Sequence, residues 1–190
     1  MRRIAALICL SMLVTGCQSV RGVVEGDQPN PGPCPTALSL YDAHRVVNFH
    51  GDGVVYSNVG FTGEILNVVS FCEYTDRDAS PISMDMGIRM AFGRGPAASG
   101  RSHTYQYFVA VTRRDQAVIE RQVYPVTVEF PAGVDRVELV QEFENMVIPR
   151  ADASTSGANF EVIVGFELTE EQLEFNRSGQ RFRVTAGSGS

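Results

Sequence analysis

The chain predicts an all-β fold, an antiparallel immunoglobulin-like sandwich with one short C-terminal helix. Three observations predict it. Apolar and polar residues alternate with a period of two through most of the body. Glycine-containing turns punctuate those runs. Only one segment carries the signals that start a helix. About seven to nine short strands joined in this way fit two packed sheets, with a closed barrel as the second architecture. The chain has no tryptophan, so the likeness to antibody domains extends to architecture alone.

Weak strands are expected first at Val46–Phe49 and Val54–Tyr56, with a turn between them at Gly51-Asp52-Gly53. Leu66–Tyr74 follows and sets Leu66, Val68, Cys72 and Tyr74 on one face. The clearest strand is Ile82–Phe92. There Ile82, Met84, Met86, Ile88, Met90 and Phe92 alternate with Ser83, Asp85, Gly87, Arg89 and Ala91, the pattern of a half-buried strand. Tyr105–Val111 is apolar on both faces around Phe108, as in a central strand. Ala117–Val123 is a weak strand. The next carries Tyr124, Val126, Val128 and Phe130, and Pro125 on its other face points to an edge or a bulge. A turn at Pro131-Ala132-Gly133 leads to a weak strand at Val137–Phe143. After Ser156-Gly157 comes a strand with Phe160, Val162, Val164, Phe166 and Leu168 inward. The helix opens at Thr169-Glu170-Glu171-Gln172, a capping box whose acids suit the positive end of the helix dipole. It continues through Leu173, Glu174 and Phe175 and stops near Gly179.

Ahead of this body stands a different kind of segment. Met1-Arg2-Arg3 is basic, Ile4–Val14 is apolar but for Ser11, and Leu13-Val14-Thr15-Gly16-Cys17 ends in small residues and a cysteine. That is the three-part layout of an export signal, too short for a permanent span of about 20 residues. The Leu13–Cys17 motif resembles the lipobox of bacterial lipoproteins. The resemblance covers only the start of the chain, through Gln18. It implies cleavage between Gly16 and Cys17, a diacylglycerol on the Cys17 sulfur and a third acyl chain on the new amino group. More than one acyl chain makes anchoring stable. In enterobacterial lipoproteins an Asp after the cysteine retains the protein in the inner membrane; Gln18 here implies the outer membrane. The body is similar to small proteobacterial lipoproteins of unassigned function, a resemblance that implies no activity and no site residues. The expected organisation is a signal peptide over 1–16, a lipidated Pro/Gly-rich tether over 17–36, the sandwich over 37–184 and a flexible tail over 185–190.

With Cys9 in the leader and Cys17 acylated, Cys34 and Cys72 remain. An even pair in an oxidising compartment reads as a disulfide, worth roughly 4 kcal/mol in the chain-entropy model. A redox pair or a pair of metal thiolates is the alternative, although catalytic redox cysteines usually stand two residues apart.

Composition excludes several classes. All 16 cationic side chains are arginine, so Schiff-base lysine chemistry and Walker-type phosphate loops are out. The net charge is −6, and loss of Arg2 and Arg3 makes it −6 − 2 = −8. Such an acidic body disfavours nucleic acid, which needs a basic stripe.

Candidate chemistry is sparse. His44, His50 and His103 lack the spacing by which zinc sites announce themselves, so no metal is expected. Met84, Met86 and Met90 could serve Cu(I) as soft ligands, but they occupy the apolar face of the best strand. Gly93–Ala98 mimics a dinucleotide fingerprint, yet a strand follows where a helix is needed. The hairpin loop Gly93–Arg101 could offer amides and the Arg94 and Arg101 guanidinium groups to an anionic partner group; its bland counterpart is a loop of solvated charge. No Gly-x-Ser-x-Gly elbow exists, and nothing ties Ser80, Ser99, Ser154 or Ser156 to a histidine.

These readings converge on a noncatalytic, lipid-anchored β-sandwich at the outer membrane, facing the periplasm. No cofactor and no nucleic acid are expected. The membrane is met through the lipid, and the partner is an envelope protein complex or the cell wall. Arg94 and Arg101 are the expected contacts, and edge-strand addition around Tyr124 is a further mode. An envelope hydrolase is the alternative and predicts a cleft holding two facing acids or a Ser/His pair. Periplasmic copper handling is the third reading.

Overall fold

A computed structural model describes residues 32–74, 81–114 and 118–182. The leader, Cys17, most of the tether and the 185–190 tail lie outside the described residues. Eight strands and one α-helix are described: β1 Thr36–Ser39, β2 Arg45–Phe49, β3 Val59–Tyr74, β4 Ile82–Arg94, β5 Ser102–Arg113, β6 Val118–Glu129, β7 Arg136–Ile148, β8 Phe160–Phe166 and α1 Glu170–Arg177. They form two four-stranded sheets, β1-β8-β5-β6 and β2-β3-β4-β7. The chain changes sheet at β1–β2, β4–β5, β6–β7 and β7–β8, placing β7 beside β4 and β8 beside β5. This interlocked crossing is the Greek-key connection of immunoglobulin-type sandwiches.

The alternation in Ile82–Phe92 builds the core. All six predicted inward residues of β4 are at most 3% exposed, including Met84, Met86 and Met90. Facing them are Tyr105, Tyr107 and Val109 of β5, Val126 and Val128 of β6, and Val162, Val164 and Phe166 of β8. β5 is central, flanked by β8 and β6. Burial pushes the Tyr107 phenol up to about 12. β6 is an edge strand, which is how the sheet tolerates Pro125, a residue with no amide to donate.

Two bulges carry most of what alternation alone does not show. In β3 the pairing with β4 shifts between Ile65 and Asn67. Phe61 and Ile65 are buried before it, Cys72 after it, so the inward parity changes from odd to even. Val68, Cys72 and Tyr74 share the core face as expected, while Leu66 falls in the bulge itself. In β7 the register against β4 shifts between Met84 and Met86, around Asn145 at φ 55°. The Asn145 amide donates to Asp85 Oδ1 at 2.8 Å.

Two expectations are corrected. Val54–Tyr56 is not a strand: Gly51 and Gly53 take φ of 100° and 92°, and a 3-10 turn occupies Tyr56–Asn58. The Asn58 carboxamide closes that loop by donating to Asp52 O at 2.6 Å and Gly53 O at 3.1 Å. The sandwich is also not wholly antiparallel, because β1 pairs with β8 in parallel, Thr36 opposite Glu161.

Cys34 and Cys72 form a disulfide across 38 residues of sequence. Tyr74 reinforces it: its hydroxyl donates to Pro33 O at 2.9 Å and accepts from Gly157 N at 2.7 Å. The residues before β1 are thereby fastened to the end of β3.

Candidate functional site

α1 begins as the sequence predicts. Thr169 Oγ1 accepts from the Gln172 amide and Gln172 Oε1 accepts from the Thr169 amide. Phe175 buries against Val47 and Val59, with its ring 5.4 Å from that of Phe49. Asn176 adds two bonds of 2.8 Å to the carbonyls of Asp42 and Arg45, and Arg177 pairs with Asp42. The short helix is thus clamped to β2 and to the turn before it.

Between α1, β2 and the glycine-rich 51–54 loop lies a cleft of about 690 Å³. That volume is typical of small-ligand sites. Phe49, Val54 and Phe175 give it apolar surface; Asn48, His50, His103, Glu171, Gln172 and Glu174 give it polar surface. The histidines, far apart in sequence, meet around one ring. His103 stacks on Phe61 at 4.5 Å, and His50 stands edge-on to the same ring at 6.4 Å. His44 is elsewhere, its Nδ1 bonded to Tyr41 O.

Each cleft imidazole has one nitrogen committed. His50 Nδ1 donates to Ala97 O at 2.9 Å. His103 Nε2 accepts from Asn48 Nδ2 at 2.9 Å. Burial, and then the nearby His50 charge, hold the His103 pKa below its usual 6.5. Among the described residues neither imidazole is hydrogen-bonded to a serine, a threonine or a carboxylate, and no three His, Cys, Asp or Glu side chains gather as a metal site. Ser178 and Thr169, both on the cleft wall, spend their hydroxyls on α1 itself.

The loop bearing Arg94 and Arg101 adjoins this cleft through the His50–Ala97 bond. It is not a hairpin, because β4 and β5 belong to different sheets. Nor does it present free amides in the way expected of an anion nest. Gly95, Ala97 and Ala98 donate to Gly60, Val59 and Gly95 carbonyls. Arg94 donates to Gly100 O at 2.9 Å and pairs with Asp135 at 3.2 Å. Arg101 donates to Phe130 O at 2.8 Å. These bonds carry the chain from one sheet to the other. Sequence reasoning missed the joint role of Asn48, Gln172, His50 and His103, and their spacing offers no signal for it. The thioethers of Met84, Met86 and Met90 lie in the core.

Comparison with family models, curated proteins and solved structures yields no match.

Proposed function

We propose that this chain is a noncatalytic, lipid-anchored binding component of the bacterial envelope. Cys17 carries the acyl anchor in the outer membrane, the sandwich faces the periplasm, and the His50–His103 cleft receives an envelope protein or cell-wall material. One observation carries the binding reading. The cleft joins apolar walls to convergent amide, imidazole and carboxylate groups, while both imidazoles are tied to Ala97 and Asn48 rather than to a nucleophile. The Cys34–Cys72 bond supports an oxidising compartment, since such bonds persist there. Arg94 and Arg101 belong to the loop that His50 clasps at Ala97.

The test is photo-crosslinking in intact cells from Val54 at the cleft mouth. The expected product joins the protein to one envelope component and disappears in a Glu171→Arg variant. Products that persist unchanged in that variant overturn the cleft assignment.

A hydrolase remains the second reading, favoured by the meeting of His50, His103, Glu171 and Glu174 in one cleft. It requires the purified protein to cleave cell-wall glycan or peptide, with that activity lost in both His50→Ala and Glu171→Gln. An inert protein removes it.

A further inference from the structure

The outer face of the β2-β3-β4-β7 sheet breaks the rule that its inner face obeys. Val69 and Phe71 of β3 are 57% and 63% exposed; Val140 and Val147 of β7 are 53% and 62% exposed. The two bulges set them on one face. The β3 bulge turns the odd-numbered residues outward in time for Val69 and Phe71. The β7 bulge lets Val140 and Val147, of opposite parity, share a face. Isolated exposed valines are ordinary; Val69 and Phe71, with Val140 across Gly87 from Val69, form an exposed apolar cluster of the kind that marks an interaction surface.

Gly87 lies among them, opposite Val69 on one side and Glu142 on the other. Its backbone is not left-handed, so conformation does not call for glycine. A Cβ there would meet Val69 Cγ2 at 3.2 Å and Val140 Cγ1 at 3.9 Å, both on exposed side chains able to turn aside. Glycine in a strand interior weakens the strand and often marks a bulge, such as the one beside Asp85, or a close approach by another chain. Here it floors a trough of about 430 Å³ bounded by Val69, Phe71, Glu142 and Phe143.

We infer that this trough docks an extended segment of another protein in which apolar residues alternate with lysine or arginine. The charges select that occupant. Among the described residues, Asp85, Glu142 and Glu144 line the trough and Glu73 stands on the next row, against Arg89 on the other flanking row. A second copy of this chain would set acid upon acid, and an anionic lipid surface would be repelled in the same way. A cationic segment answers the rim while its apolar residues fill the space over Gly87. The trough shares no lining residue with the cleft and needs no lipid anchor.

The test is titration of the purified full-length protein with a labelled synthetic peptide of alternating leucine and lysine, at physiological salt. A peptide of alternating serine and lysine is the control. The leucine peptide is expected to bind saturably. Gly87→Val and Phe71→Ser, confirmed as folded by thermal unfolding, are each expected to weaken it about tenfold or more, the effect of losing one buried apolar contact. No binding of the leucine peptide, equal binding of the serine peptide, or indifference to both substitutions overturns the proposal. So does a dimer in sedimentation that Phe71→Ser converts to monomer.

Discussion

The carboxamide of Asn48 donates to Nε2 of His103 at 2.9 Å, and two backbone groups fix the direction of that bond. The Thr169 amide can only donate, so the Gln172 atom 2.9 Å from it is the oxygen. The Val47 carbonyl can only accept, so the Gln172 nitrogen faces it at 3.1 Å. That nitrogen also reaches Asn48 Oδ1 at 2.9 Å, which leaves the Asn48 NH2 for His103. His103 must therefore present a lone pair at Nε2 and carry its proton on Nδ1. The helix cap and the cleft imidazole are ends of one hydrogen-bond chain.

Protonating His103 sets N–H against N–H and breaks that chain. The folded-state pKa is held below 6.5, by burial first and then by His50. Above about 6.5 the imidazole is neutral whether the chain is folded or unfolded, and the stabilisation is fully present. As pH falls below that value, the unfolded chain takes up the proton that the folded one resists, and stability declines until the lower, folded pKa is passed. The other titratable groups on the cleft are His50, Glu171 and Glu174. Thermal midpoints measured from pH 7.5 down to pH 5, about the range over which histidine titrates, should fall more steeply for the native protein than for His103→Gln. Parallel curves would show that His103 is not the group responsible.

The disulfide should matter more than any single hydrogen bond. It closes 38 residues and fastens the chain ahead of β1 to the end of β3. Removing it as Cys34→Ser/Cys72→Ala should lower unfolding free energy by about 2–5 kcal/mol. Denaturant unfolding, under oxidising and reducing conditions, reads this directly: the reductant should shift the native protein to the variant's midpoint and leave the variant unmoved.

Gly95 is where the crossing loop touches β3. A Cβ there would lie 2.2 Å from the Val59 carbonyl oxygen, a backbone atom with nowhere to go. The bonds Gly95 N to Gly60 O and Ala97 N to Val59 O, at 2.7 and 2.9 Å, would have to lengthen. Gly95→Ala should cost about 1–3 kcal/mol, the range for overpacking a tight contact. Ala97 would move with the loop and free His50, so the His50 ring resonances should shift in the nuclear magnetic resonance spectrum. A stable variant with an unmoved His50 would show that the loop adapts.

Legibility in the sequence followed from how local each signal is. The β4 alternation, the capping box at Thr169 and the edge proline at position 125 are complete within a few residues, and each has its expected place. The first half of β3 was hidden because the bulge beyond Ile65 inverts the alternation midway. β1 is four residues long, only Ala37 and Leu38 of them apolar, and its pairing partner β8 is a strand far along the chain. Val54–Tyr56 has the composition of a strand, but the glycines before it turn the backbone aside. The cleft was invisible for a stronger reason. His50 follows β2, His103 lies in β5 of the other sheet, and they meet around the Phe61 ring. Arg94 and Arg101 stood out by composition, and their guanidinium groups brace the crossing loop.

The proposed membrane anchor is testable apart from every property of the sandwich. Cys17 precedes the described body, whose core, disulfide and cleft draw on residues from Pro33 onward. Cys17→Ala should therefore leave thermal stability within about 0.5 kcal/mol of the native protein, as for a change remote from packed structure. The same substitution removes the sulfur to which acyl chains would attach, and more than one such chain would be needed to hold the body stably at a lipid surface. The variant should appear in the water-soluble periplasmic fraction while the native protein sediments with membranes. Mass spectrometry of the native amino terminus should show an acylated Cys17. If the variant sediments with membranes as the native protein does, protein contacts rather than lipid hold the sandwich there.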